Sequence, residues 1–279
     1  MNGMKSAQST TLKEKKTIWI INQYASTLDT GLGGRHYYFA KELAKAGYNV
    51  YLISAANHHL LRQAIDVSEY YKLEDVDGFK YVWLKMPEYN GAHSKKRILN
   101  EFLFAYKVSV LNKTIKNSNP DAIVYSTPSL PPYLGAKVLA NKLKCKLMLD
   151  VRDLWPLTLI DVGGYSKYHP FIYLLKKIEN FAYRRSDVII SNLPYSIRYM
   201  EKYGADEKKF TWIPNGVSLD ECFSAEPLSE KFIEKLPRNK FVVGYTGTLG
   251  HANSLHTLLD AAELLKEQTN IVFMIVGGG

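Results

Sequence analysis

The feature that most restricts the fold is a glycine-rich segment set between two apolar runs near the start of the chain. Thr17 to Asn22 is a short apolar run, Gly31-Leu-Gly-Gly-Arg-His36 follows, and an amphipathic pattern begins at Arg35. Phe39, Ala40, Leu43 and Ala46 recur at helical spacing, Gly47 can end the helix in a left-handed conformation, and a second apolar run covers Tyr48 to Ser54. Strand, glycine loop, helix and strand within about forty residues make a βαβ unit. Its loop turns backbone N–H groups and the positive end of a helix toward the carboxyl edge of the sheet, a natural seat for an anion. The spacing is not the G-x-G-x-x-G of dinucleotide binders, because His36 stands where the third glycine would be. The second run also ends in Ser54-Ala-Ala-Asn57, without a carboxylate for a ribose. No lysine follows as in a Walker A loop. No organic cofactor is therefore expected. A plainer reading stays open, in which the glycines only let helix and strand pack closely.

Further apolar runs at Phe79 to Lys85, Asp121 to Ser126, Lys146 to Asp150, Asp187 to Ser191 and Phe210 to Ile213 bring the strand candidates to seven by Pro214. Helical patterns stand between them at Ser94 to Asn117, from Thr127-Pro-Ser-Leu-Pro-Pro132 to Lys142, at Pro170 to Arg185 and at Tyr195 to Lys202. This alternation predicts a doubly wound α/β domain. Asp75-Val-Asp-Gly78 precedes a strand and ends in glycine, so it reads as a turn and not as a metal site. His58 and His59 lack a third ligand at metal spacing and read as solvated loop residues, so no metal is expected. The helix from Ser94 opens with Lys95-Lys-Arg97 and carries Phe102-Leu-Phe-Ala-Tyr106, which fits either core packing or contact with an anionic membrane. Arg152 and Asp153 follow directly on a strand, where open α/β sheets bind ligands; pairing with each other is the alternative.

Pro214-Asn-Gly216 is a strong turn signal, and a charged, proline-punctuated stretch follows it. The expected limits are a lead-in without regular structure over 1–16, a complete Rossmann-like domain over 17–218, a linker over 219–239 and a second unit over 240–279. That unit repeats the opening logic: strand Lys240 to Tyr245, loop Thr246-Gly-Thr-Leu-Gly250, helix Asn253 to Lys266 and strand Ile271 to Val276. One βαβ of about forty residues is below the usual size of a free-standing domain, so part of the second domain is expected to be missing.

The chain of 279 residues carries a net charge of +9, which suits an anionic partner without choosing one. Its lysines are dispersed with no reading helix, so no nucleic acid is expected as a partner. Cys145 and Cys222 stand in no C-x-x-C, and no run approaches the roughly 20 apolar residues of a membrane span. The expected location is the cytoplasm, with peripheral contact at the inner membrane face left open.

Five stretches, in this order and spacing, resemble retaining glycosyltransferases of family 4, of GT-B fold. They are Gly31-Leu-Gly-Gly-Arg-His36, Asp150-Val-Arg-Asp-Leu-Trp-Pro156, Glu179 ahead of Ser186-Asp-Val-Ile-Ile-Ser191, Ile213-Pro-Asn-Gly-Val217 and Gly244-Tyr-Thr-Gly-Thr-Leu-Gly250. Within the family the chain is most similar to fucosamine-type transferases of bacterial surface polysaccharide assembly, of the O-antigen and capsule kind. The resemblance implies metal-independent transfer of a hexosyl or N-acetylaminosugar group from a nucleotide-diphosphate sugar, a UDP-sugar first among them, to a lipid-linked or other glycan acceptor. It implies catalytic roles for Arg152, as positive charge, and Asp153, as orienter of the acceptor hydroxyl. It places Gly33, Gly34, Arg35, His36, Asn215 and Gly216 at the substrates, and Gly247, Thr248, Gly277 and Gly278 at the donor. Thr248 and Asn253 occupy positions where the family commonly has arginine and lysine, and the family's two donor-binding glutamates would lie beyond Gly279. The chain alone is therefore expected to have little activity, and a non-catalytic binding protein on a transferase scaffold is the rival reading.

Overall fold

The computed structural model describes residues 15–88, 95–116, 118–224 and 226–278. Most of the lead-in, the two end residues of the helix expected from Ser94 to Asn117, and Gly279 lie outside them. The chain runs β1 (Thr17–Ile21), α1 (Gly34–Lys45), β2 (Asn49–Ala55), β3 (Tyr71–Val76), β4 (Phe79–Leu84), α2 (Lys95–Ser109), α3 (Leu111–Thr114), β5 (Ala122–Ser126), α4 (Pro131–Leu143) and β6 (Lys146–Val151). It continues with α5 (Leu157–Asp161), α6 (Pro170–Arg185), β7 (Val188–Ser191), α7 (Ile197–Met200), β8 (Phe210–Trp212), α8 (Leu219–Phe223), α9 (Glu230–Ile233), β9 (Phe241–Thr246), α10 (Leu255–Leu264) and β10 (Ile271–Val276). Two compact units result: one up to Ile160 with Tyr165–Gly216, the other Val217 onward with Asp161–Gly164.

In the first unit eight strands form one sheet in the order β3-β4-β2-β1-β5-β6-β7-β8, parallel except for β3 against β4. The strand order reverses between β1 and β5, so the crevice beyond their carboxyl ends is the topological switch point where such sheets bind ligands. Successive strand residues face opposite sides: Trp19 and Ile21 enter a core with Phe104 and Val108 of α2 and Tyr133 of α4. Ile20 enters another with Tyr37 and Ala40 of α1. Both faces are covered, which explains why these strands read as continuous apolar runs. Helix starts follow local chemistry. Pro131 and Pro132 open α4, Pro170 opens α6, and His169 Nδ1 accepts the Phe171 N–H at 3.2 Å. Gly135 lets α4 approach α2 closely, since a Cβ there would run into the Ala105 carbonyl oxygen.

The doubly wound α/β expectation holds, with three local differences. An eighth strand, β3, is absent from the sequence reading, because Tyr71–Val76 is an antiparallel edge strand with charged residues and no apolar run. Asp75 belongs to that strand, and the turn is Asp77-Gly78, both at positive φ as a two-residue hairpin requires. The long helix is broken into α2 and α3 at Val110. On α2, Phe104 is fully buried, whereas Leu99 (69%), Phe102 (39%) and Tyr106 (63%) form an exposed stripe at i, i+3, i+7 spacing.

The second unit pairs β9 with β10 in parallel, joined through α10. The stretch expected as a linker carries α8 and α9.

Glu179 on α6 is fully buried; Tyr183 donates to its Oε1 at 3.0 Å and Tyr199 to its Oε2 at 3.5 Å. Burial still outweighs these bonds and pushes the carboxyl from 4.5 up to about 7. Native Glu179 thus keeps a proton that the unfolded chain loses between those values, so its contribution to stability is greatest below 4.5 and is lost as pH rises to about 7, by roughly 3 kcal/mol. Glu179→Gln should melt like the parent at pH 4.5 and at a higher temperature at pH 8. Equal pH dependence of Tm in the two proteins would contradict this.

Candidate functional site

The switch-point crevice is floored by a hydrogen-bonded network that begins at the glycine loop. Gly33 and Gly34 both take positive φ at the first turn of α1, a conformation that only glycine adopts cheaply, and this brings the next two side chains under the sheet's carboxyl edge. Arg35 lies buried against Asp150 near the end of β6, with Nη2 to Oδ1 at 3.3 Å and Nε to Oδ2 at 3.4 Å. Its Nη2 also donates to the Ile213 carbonyl at 2.8 Å, and Nη1 donates to the Pro214 carbonyl at 2.8 Å and to Asn215 Oδ1 at 3.2 Å. The five N–H groups of the guanidinium are all engaged, and the group also stacks over Phe39, 4.3 Å from its ring centre. Arg35 is a clamp that ties α1, β6 and the exit from β8 together.

Asp150 Oδ2 also accepts the Ser126 hydroxyl at 2.8 Å, so Ser126 Oγ accepts in turn from His36 Nε2 at 2.7 Å. Burial, helped by Arg152 and Arg35, lowers His36 to about 3 and keeps it neutral. Asn22, at the end of β1, donates to the carbonyls of Ser126 and Thr127 at 3.1 and 2.9 Å and bridges the two strands at the switch point.

Arg152 is placed differently. Its backbone N–H is bound by Thr127 Oγ1 at 3.0 Å, but its Nε is buried without a hydrogen-bond partner. It lies near enough to His36 to bias that ring's protonation. It forms no ion pair with Asp153, which is exposed on the same loop. Asn215 and Gly216 are exposed after β8, with Asn215 Oδ1 taken by Arg35.

A second cluster of the same unit escapes the sequence reading. Glu101 of α2 is buried; Tyr24 donates to its Oε1 at 3.5 Å, and Arg97 Nε stands 3.7 Å from the same oxygen. The Arg97 guanidinium lies 5.9 Å from the ring centres of both Tyr24 and Trp155. Desolvation raises Glu101 to about 7, against the opposing pull of Arg97. Tyr24 also meets His58 and His59 edge-on. His58 is not the solvated residue expected: it is buried, donates Nε2–H to the Ala25 carbonyl at 3.1 Å, accepts from the Leu60 N–H at its Nδ1, and burial lowers it to about 4. No spacing pattern links residues 24, 59, 97, 101 and 155; only the buried helix position of Glu101 within an apolar stripe hints that it needs a partner.

In the second unit the loops after β9 and β10 meet. Gly247 N–H donates to the Val276 carbonyl and Leu249 N–H to the Gly278 carbonyl, each at 3.0 Å. A Cβ on Gly277 would strike the Gly247 carbonyl oxygen. The Thr248 carbonyl accepts both the Tyr245 hydroxyl and the Asn253 amide at 2.8 Å, which fixes an exposed loop. All four glycine and threonine positions expected at the donor therefore lie together at the carboxyl edge of this small sheet.

Comparison with known proteins follows the same lines. The family model described as Glycosyltransferase Family 4 matches residues 31–221. WcaI of Escherichia coli (strain K12), named as a colanic acid biosynthesis glycosyl transferase, is 22% identical over 257 residues, covering 90% of this chain and 63% of WcaI. WbjE of Pseudomonas aeruginosa, named as a glycosyltransferase, is 23% identical over 189 residues, covering 66% of this chain and 44% of WbjE. The chain thus spans less than two thirds of the length of either relative. Sucrose-phosphate synthase of Thermosynechococcus elongatus superposes with a TM-score of 0.66 at 12% identity, over 95% of this chain and 63% of that one. HepE of Anabaena, solved with UDP and glucose, gives 0.55 at 16% identity, over 94% and 61%. At such identities the likeness is one of fold, the GT-B type of α/β architecture.

Removing one partner of a buried ion pair leaves the other charge uncompensated, at about 3–5 kcal/mol. Arg35→Met should lower the unfolding free energy by that order in urea titration, and Arg35→Met with Asp150→Asn should recover part of it. A loss below about 1 kcal/mol would show that the pair behaves like a surface bridge.

Proposed function

The chain belongs to glycosyltransferase family 4, and on that premise we propose that it takes part in moving a sugar from a nucleotide-diphosphate sugar to a glycan acceptor in bacterial surface polysaccharide synthesis. The observation that carries this reading is the uncommitted guanidinium of Arg152. The positive charge of Arg35 is neutralised within the fold and His36 stays uncharged, so Arg152 is the cation left for an anionic ligand beside the first turn of α1. In sugar transfer the bond from the anomeric carbon to the diphosphate oxygen breaks while a bond from the acceptor oxygen forms. The leaving diphosphate gains charge as the anomeric carbon becomes cationic, and preorganised positive groups lower the barrier by meeting that charge. Arg152 and the uncapped N–H groups at the start of α1 supply such charge without a metal ion.

Asp153, exposed on the same loop, is assigned to orient the acceptor hydroxyl. The loops at Gly247, Thr248, Gly277 and Gly278 are assigned to the donor, and Gly33, Gly34, Asn215 and Gly216 to the walls of the first unit's crevice. The family resemblance supports retention of configuration and an N-acetylaminosugar of the fucosamine type. A UDP-sugar is the first donor to consider, since HepE holds UDP and glucose. WcaI carries a name from colanic acid biosynthesis, which supports a glycan acceptor; the family resemblance supports a lipid-linked one. No helix among the described residues is long and apolar enough to cross a membrane. The exposed stripe of Leu99, Phe102 and Tyr106 supports peripheral contact with an anionic bilayer from the cytoplasmic side.

A ligand that binds the native state raises Tm by mass action. Titration with UDP-, GDP-, ADP- and CMP-sugars in the presence of EDTA should give a dose-dependent rise with one nucleotide class. Loss of one charge-assisted contact, about 1.5–3 kcal/mol, should make Arg152→Ala bind that compound roughly tenfold or more weakly. Equal affinity of parent and variant, or no response to any nucleotide sugar, would remove Arg152 from the donor site.

A further inference from the structure

Outside the crevice, on the face of the sheet covered by α2 and α3, the first unit holds a cavity of about 540 Å³ at its β3 edge. Its walls are the rings of Tyr51, Tyr70 and Tyr71, the side chain of Leu73, and Lys113 and Lys116 at the end of α3. Such a volume is that of a small-molecule site. No step of the proposed transfer uses it.

Beside the cavity lies a lysine that the fold leaves without a counter-charge. Lys107 of α2 is only 8% exposed, and its Nζ stands 3.6 Å from the centre of the Tyr70 ring. The same ring forms a wall of the cavity, so cation and cavity share it. Among the described residues Lys107 has no carboxylate partner, and Lys113 and Lys116 have none either. Buried charges are ordinarily paired, and an aromatic face compensates an ammonium only in part. Burial and the nearby Lys85 accordingly hold Lys107 below the usual lysine range. Lys80 with Asp75 and Lys146 with Asp187, by contrast, are surface lysines each paired with a carboxylate.

We propose that this cavity binds a phosphate ester carrying an apolar portion, the phosphate lying against Lys113 and Lys116, with the charge of Lys107 behind Tyr70, and the apolar portion against Tyr51, Tyr71 and Leu73. Lys113 and Lys116 supply charge-assisted donors, and the tyrosines and Leu73 supply the apolar wall. A phospholipid headgroup and a soluble phosphate compound share this chemistry. The inference does not rest on the transferase reading, because its test measures binding alone.

The test is isothermal titration of the full chain with dihexanoylphosphatidylglycerol below its micelle concentration and, separately, with inorganic phosphate. Lys113 and Lys116 are exposed, so Lys113→Gln with Lys116→Gln should fold as the parent does, checked by an unchanged Tm. Binding should weaken at least tenfold in that variant and stay unchanged in Lys202→Gln with Lys208→Gln, two exposed lysines elsewhere on the unit. Tighter binding of the lipid than of phosphate, with the lysine dependence above, supports the proposal; phosphate binding as tight as the lipid or tighter would overturn it, because the apolar wall would then contribute nothing. Absence of binding by both probes, a fall of less than tenfold, or an equal fall in the control variant would overturn it.

Discussion

The buried pair of Arg35 and Asp150 is the constraint on which the first unit's ligand face depends. A carboxylate near the end of a central parallel strand is surrounded by sheet and helix, and it can stay ionised there only if a cation meets it with good geometry. The glycine loop makes that meeting happen, because Gly33 and Gly34 turn the chain through positive φ and set Arg35 and His36 inward. From this one pair the order spreads. Ser126 donates to Asp150 and receives from His36, Asn22 bridges β1 to β5, and the remaining N–H groups of Arg35 hold the turn after β8. The crevice floor is thereby tied together by hydrogen bonds among α1, β1, β5, β6 and the exit from β8.

Two arginines of the same unit thus have different work. Arg35 has every donor satisfied and its charge cancelled by a carboxylate at 3.3 Å, so little field escapes into the crevice. Arg152 has no such partner, and its buried Nε is unsatisfied. An unmet donor in a protein interior is costly, and the cost is tolerated where a ligand completes the bonding. The same reasoning applies on the flank of the sheet, where Lys107 stacks on Tyr70 without a carboxylate.

The small second unit follows the same design on a reduced scale. Its loops at Gly247 and Gly277 touch through backbone bonds, and glycine is required where one strand's exit meets the other's. Thr248 and Asn253, in place of the basic residues common in the family, serve the loop itself through the Thr248 carbonyl.

The sequence by itself determined the α/β class, the seven strands of the main parallel series and the placement of the glycine loop and Arg152 at strand ends. These follow from hydrophobic periodicity and from turn chemistry, which act over a few neighbouring residues. It did not disclose β3, whose polar edge strand lacks an apolar run, nor the burial of His58 in a segment that reads as solvated. Tertiary structure alone decided that Arg35 is a clamp and Arg152 is free, since the two look alike in a sequence and differ only in whether Asp150 lies within reach. It alone assembled Tyr24, Arg97, Glu101 and Trp155, and set Lys107 against Tyr70. The physical reason is range: propensity and pattern are local, whereas desolvation and charge pairing depend on groups far apart in the chain, as Arg35 and Asp150 are.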